Sequence, residues 1–404
     1  MKKFLAILLA VILIVGVAAC AAETVPVQQP APAADPPAPA ADPTPPPTPE
    51  PPAPPPEPPA PPPEPITEDV DIRIALVAHS PESIQFDGSF NEGAYNGIRQ
   101  FMAAHNINPA TNFQFFQALE ATDAARLDQM ESAIESFGAD ILVLPGFHFM
   151  SSLYHAQQWW PEANFILLDA VPAYDGNQRT DANLVAVLYA EEESGFLAGY
   201  AAVMDGYRQL GFMGGVAVPA VARFGHGFVQ GAEYAAASLG LDAGEVSVRY
   251  HYLGGFAPDP AHTALASGWF AAGTEVIFAA AGGAGASVIA AAEAAGAYVI
   301  GVDVDQSGAS PVVITSATKA LANSVYNLLS HYAAGTFPGG RVELFNAAAQ
   351  GVELPMATSR FREFTQAQYD AIFNQLATGA VVVNNSLDQD EVFADISLVT
   401  ILTT

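Results

Sequence analysis

Beyond residue 70 the chain repeats one pattern: a short, unbroken apolar run, then a longer segment in which apolar side chains return every three or four positions. The runs are IRIALVAH (72–79), ADILVLPG (139–146), NFILLDAV (164–171), RQLGFMGG (208–215), TEVIFAAAGG (274–283) and AYVIGVDV (297–304). Between them lie segments such as NEGAYNGIRQFMAAH and GASVIAAAEAAG, whose spacing is helical. A strand that alternates apolar and polar residues has one wet face, whereas a continuous apolar strand is covered on both. The pattern therefore predicts parallel sheets flanked by helices, an α/β protein. More than 300 residues of this kind exceed what one core serves, so two doubly wound lobes are expected.

In such sheets ligands bind beyond the carboxyl ends of the strands. The segments there are HSPESIQFDGSFNE, GFHFMSS, GGVAVPAVARFGHGF, AAGGAGAS and DVDQSG, rich in Gly, Phe and Asp. If they converge, they line one cleft with aromatic rings, carboxylates and backbone amides.

The N-terminal part departs from this pattern. Residues 1–20, MKKFLAILLAVILIVGVAAC, carry two lysines, an apolar run and small residues before Cys20, the layout of a secretory signal. The placement of Cys20, the chain's one cysteine, resembles a bacterial lipobox in which the thiol is lipidated; a lone cysteine excludes a disulfide framework. Residues 21–66 are almost entirely Pro, Ala, Glu and Asp, which favours an extended polyproline tether. The folded part is expected outside the cytoplasm.

Charge narrows the ligand. Forty-two acidic residues face thirteen basic ones, a formal net charge of −29, which opposes nucleic acid and phosphate-rich ligands and suits a neutral or cationic small molecule. Lysine is nearly absent: apart from Lys2 and Lys3, Lys319 stands alone. No metalloprotease, nucleophile-elbow or Walker pattern occurs, and the eight histidines are scattered, so no enzyme, metal or cofactor is expected. His79 and His148 follow apolar runs and can face the cleft as hydrogen-bonding groups.

The ordered set FDGSFNEGAYNG, ADILVLPGFHF, WPEANFILLD, NLVAVLYAEEESGFLAGYAA, LGFMGGVAVPAVARFGHGFVQGAEY, VIFAAAGGAGASVIAAAE, VIGVDVDQ and VVITSATKALANSVY resembles the basic membrane protein family of ABC-transporter substrate-binding lipoproteins, from about residue 71 to 385. The resemblance implies a type I periplasmic-binding-protein fold with three hinge crossovers. It places lobe one at 70–187 and 316–345, and lobe two at 188–315 and 346–404. It implies a monomer, anchored to the cell membrane through lipid, that holds a nucleoside, purine foremost, and passes it to ABC permease and ATPase subunits. A lipoprotein that signals to a membrane receptor is the alternative.

The resemblance also gives residues their roles. Asp87 and Asn91 can cap the helix entered by DGSFN; in the family pattern they bond the base edge while Phe90 forms an aromatic platform. Phe86 departs from the family, which has an acidic or amide residue there, and an extra ring can thicken the stack. Phe147 and Phe224 are further ring candidates, with Phe228 expected in the core. Gly282 and Gly283 allow close backbone approach. Asp303 accepts ribose hydroxyls, Lys319 reaches the sugar beside it, and Asp305 shares a face with Asp303 if the strand continues. Replacing either Lys319 or Asp303 by alanine should weaken binding more than tenfold and change folding little.

Overall fold

A computed structural model describes residues 56–60 and 70–403; the signal-like segment with Cys20 and most of the tether lie outside the described residues. In chain order the first elements are β1 (Ile74–Ala78), α1 (Phe90–Ala104), α2 (Pro109–Asn112), β2 (Phe113–Gln117), α3 (Asp123–Glu131), β3 (Ile141–Pro145), α4 (Met150–Trp159), β4 (Asn164–Leu168), the hairpin β5 (Ala173–Tyr174) and β6 (Asn177–Gln178), and β7 (Leu184–Tyr189). The chain then crosses to α5 (Glu191–Met204), β8 (Gln209–Gly214), α6 (Pro219–Leu239), β9 (Val246–Tyr252), α7 (Pro260–Ala271), β10 (Val276–Ala280), α8 (Gly285–Ala295), β11 (Tyr298–Asp303) and β12 (Val313–Lys319). It returns for α9 (Leu321–Ala333) and β13 (Arg341–Phe345), and ends with β14 (Val352–Glu353), α10 (Gln366–Ala377), α11 (Gln389–Ala394) and β15 (Val399–Thr403).

Two main sheets result, ordered β13-β7-β4-β3-β1-β2 and β14-β12-β11-β10-β8-β9-β15. All pairings within them are parallel except β12 with β14. Strands β1, β3 and β10 are buried at every position, as their unbroken apolar runs require. This is the α/β, type I periplasmic-binding architecture.

The chain passes between lobes after Tyr189, after Lys319 and after Phe345. The second passage corrects the boundary expected at 316: β12 pairs with β11 through Thr318, so 316–319 belong to lobe two. The three connections are stitched together. Ala190 donates to the Phe345 carbonyl at 3.1 Å, Ala320 to the Gly351 carbonyl at 2.9 Å, and Ala347 to the Glu193 carboxylate at 2.6 Å.

Two packing features matter for the site. Helices α5 and α6 touch backbone to backbone through Gly195, Gly199, Gly227 and Gly231, where an added Cβ would lie 2.0–2.1 Å from a carbonyl oxygen of the facing helix. One of those oxygens is that of Phe224, so the glycines fix where its ring stands. At the other edge, residues 56–60 do not stand free as the tether reading had them. Glu57 donates to the Val342 carbonyl at 2.8 Å, accepts from Leu344 at 2.7 Å, and pairs with Arg341 at 2.6 Å. Glu57 alone between Pro54 and Pro59 has an amide hydrogen, so it is where this stretch can join a sheet edge.

Candidate functional site

The carboxyl ends of both sheets face one another across a cavity of about 600 Å³. Lys319, the last residue of β12, has a side chain 2 % exposed, and its Nζ lies 2.5 Å from Asp169 Oδ2, 3.4 Å from Asp303 Oδ1 and 3.6 Å from Glu191 Oε1. The rings of Phe90, Phe224 and Tyr189 surround the ammonium with centroids at 4.8, 5.2 and 5.5 Å. Phe90 and Asp169 come from lobe one, and Phe224, Asp303 and Lys319 from lobe two, so the amine sits where the lobes meet.

Asp169 and Asp303 are held alike. Asp169 directly follows β4 and Asp303 ends β11, each with φ near +65° (63° and 66°), a backbone conformation that non-glycine residues adopt at a cost of roughly 1 kcal/mol or more, and each turns its carboxylate to Lys319. Asp303 also accepts from Ser89 Oγ at 2.8 Å, and Gln306 donates to the Gly88 carbonyl at 2.9 Å; both bonds join the lobes.

Burial would push the Lys319 amine down, but Asp169, Asp303 and Glu191 together hold it well above its usual range, so it stays an ammonium. Glu191 opens α5, and burial pushes its carboxyl up to about 8 against the pull of Lys319 and of Arg223, whose Nη1 is 3.8 Å away. It is protonated at neutral pH. The cluster thus offers charged acceptors, an ammonium donor and a neutral acid in one place, a set suited to hydroxyl groups.

The other expected residues fall as follows. Asp87 lines the cavity, yet its oxygens accept the backbone amides of Ser89, Asn91 and Glu92 at 2.9–3.1 Å, so it caps α1. Asn91 lines the cavity and ties down the preceding loop, donating to Ser83 Oγ at 3.0 Å and the Ile84 carbonyl at 3.1 Å. Phe147 stands on the lobe-one wall in a 3₁₀ turn, and Phe228 is buried in the core. Gly282 and Gly283 reach the cavity in a 3₁₀ turn ahead of α8, with Gly282 at φ 53° against Phe256.

Two expectations fail. Phe86 is 62 % exposed at the mouth and meets Tyr95 edge-on at 5.4 Å, so it thickens no stack with Phe90. Asp305 does not share a face with Asp303, because the left-handed backbone at Asp303 ends the strand; its carboxylate accepts from the Ser307 amide and Thr358 Oγ1 instead. Sequence reasoning missed Asp169, Glu191 and Phe256. ILLD, ending in Asp169, matches the IGVD that ends in Asp303, and that likeness was the available signal.

A family described as "ABC transporter substrate-binding protein PnrA-like" matches residues 74–385. The chain belongs to this family. It is a solute-binding family rather than a family of enzymes. Basic membrane protein A1 of Borrelia garinii is 33 % identical over 261 residues, covering 63 % of this chain and 72 % of the relative. The ABC transporter nucleoside-binding protein BmpA of Lactococcus lactis is 27 % identical over 298 residues, covering 69 % of this chain and 80 % of the relative. An ABC transporter solute-binding protein from Aeropyrum pernix K1 shares the fold, with a TM-score of 0.67 at 20 % identity over 80 % of this chain and 96 % of that one.

Proposed function

We propose that the protein captures a nucleoside between its lobes, purine foremost, and delivers it to an ABC permease from outside the cytoplasm, anchored by lipid at Cys20. The observation that carries the reading is Lys319 held between Asp169 and Asp303 from opposite lobes, with Phe90 and Phe224 beside it. A ribose places two adjacent hydroxyls, each both donor and acceptor, which this ammonium and these carboxylates can satisfy together. The base then lies against the rings, where stacking contributes ~1–3 kcal/mol and tolerates changes of base. Ligand hydroxyls would bridge groups from both lobes, so binding favours the closed arrangement, and a permease can tell closed from open. The relative named as nucleoside-binding and the acidic, phosphate-averse composition support the same reading.

Calorimetry of the soluble domain with inosine, guanosine, adenosine, cytidine and uridine tests it. At least one should bind, and its free base should bind more than tenfold more weakly, a loss of ~1.4 kcal/mol or more, because the base cannot reach the charged cluster. Binding of none of the five, or equal binding of base and nucleoside, overturns the reading. Labelled palmitate incorporated by the full chain and lost in Cys20→Ala checks the anchor.

A further inference from the structure

The lobe-one wall of the cavity carries three rings in file. Phe147 and His148 have centroids 3.9 Å apart, and His148 and His79 stack face to face at 3.8 Å with 4° between planes. All three line the cavity, and the file begins beside Phe90: a Cβ on Gly146, next to Phe147, would meet the Phe90 ring at 3.9 Å.

Two imidazoles in such contact do not both carry charge, since like charges stacked this closely repel. A third cation enforces the point. Arg126 is 6 % exposed and donates through Nε to the His79 carbonyl at 3.1 Å, with Asp123 as its ion partner at 2.9 Å. Burial, His148 and Arg126 push His79 down to about 3, and burial and Arg126 push His148 down to about 4. Both rings are neutral at physiological pH, so each has one N–H and one bare nitrogen.

Among the described residues, His79 Nδ1 is enclosed by protein and has no hydrogen-bond partner. An enclosed N–H without an acceptor is rarer and costlier than an enclosed lone pair, which assigns the proton to Nε2. Three phenylalanines would build the same wall. What imidazole adds is a polar edge, here a donor.

We propose that His79, stacked on His148, reads the base edge remote from the ribose, its Nε2–H donating to a ring carbonyl, so that the site selects 6-oxopurine nucleosides over 6-aminopurine ones. This rests on the nucleoside reading above. With its sugar at Lys319 and its base on Phe90, a purine extends its six-membered ring toward the file. An oxygen at position 6 accepts the imidazole proton, whereas an amino group there brings donor against donor and leaves both unpaired.

The test compares inosine with adenosine by calorimetry at pH 7.5 in the wild type, His79→Phe and His79→Gln. Wild type should favour inosine at least tenfold. His79→Phe keeps a ring in the file and loses the donor, so the ratio should fall below threefold. His79→Gln restores an N–H donor and should restore a preference for inosine. Because a variant can fail to fold, ¹⁵N spectra of the wild-type imidazoles give a second readout: inosine should shift the His79 Nε2–H downfield and adenosine should not. Equal wild-type affinities, a ratio unchanged in folded His79→Phe, or an unshifted Nε2–H on saturation with inosine overturns the proposal. If wild type binds no nucleoside, the parent reading falls and takes this one with it.

Discussion

Lys319→Met removes one positive charge from beneath three carboxyl groups while keeping most of the side chain's volume. The ammonium is 2.5 and 3.4 Å from the Asp169 and Asp303 oxygens, distances at which a unit pair is worth about 5–7 kcal/mol at an effective dielectric near 20, and 3.6 Å from the neutral Glu191 carboxyl, which adds far less. The net loss is smaller, because the ammonium also gives up its desolvation cost; removing one partner of a buried pair typically destabilises by about 3–5 kcal/mol. The carboxyls can also escape by taking up protons, at ~1.4 kcal/mol for each pH unit above their unperturbed range near 4. Their native pKa values would then lie above the unfolded ones, so the native state binds more protons and stability falls as pH rises through that window. Urea denaturation should therefore show Lys319→Met less stable than wild type by about 3–4 kcal/mol at pH 8 and about 1–2 kcal/mol at pH 5. Adding Asp169→Asn should recover part of the loss at pH 8. A cost of the same size at both pH values would refute the charge argument, and no cost at either would show that the amine is not held as described. The sequence expectation that folding changes little is replaced here, because the side chain is 2 % exposed and ion-paired to carboxylates of both lobes.

Glu191→Gln tests the neutral acid. With a folded pKa of about 8 against an unperturbed 4.5, Glu191 contributes stability that is fully present below pH 4.5 and lost as pH rises through 8. Melting temperatures from pH 5 to 9 should thus fall more steeply in wild type than in the variant. Gly195→Ala puts a Cβ 2.1 Å from the Phe224 carbonyl, so α5 and α6 must part. Denaturation should show a loss of about 3 kcal/mol, and nucleoside affinity should fall with the displaced ring. Gly268→Ala in α7, which meets nothing within 4 Å, should instead gain about 0.5–1 kcal/mol from helix propensity.

Six inner strands, β1, β3, β4, β8, β10 and β11, were legible because each is covered on both faces, so burial imposed one unbroken apolar run, whereas β2, β13 and β15 at the sheet edges are partly exposed and gave none. The second crossover was not legible, for the same physical reason inverted. TSAT reads as a polar loop after PVVIT, yet Thr315, Ser316 and Thr318 are buried within β12. Their hydroxyls are answered by Ser359 at 2.8 Å, the Gln306 amide at 3.0 Å and the Glu353 carbonyl at 3.0 Å, partners 35 to 44 or, for Gln306, 10 residues distant. Lys319 stood out through the scarcity of lysine, and Asp303 through the family pattern. Asp169 showed only in the likeness of ILLD to IGVD, because its partner lies 150 residues away on the other lobe. Asp87 illustrates the converse: an aspartate two residues before Ser89 reads equally as cap or reader, and only the three amides it accepts from distinguish them.

The scarcity of lysine gives the cleft a built-in chemical reporter. Amine-selective acylating reagents find Lys2, Lys3 and Lys319, and only Lys319 lies among the described residues. Enclosed between the lobes and protonated, it can react only when they part and the amine sheds its proton, so its labelling rate, followed on a single peptide by mass spectrometry, counts excursions to the open form.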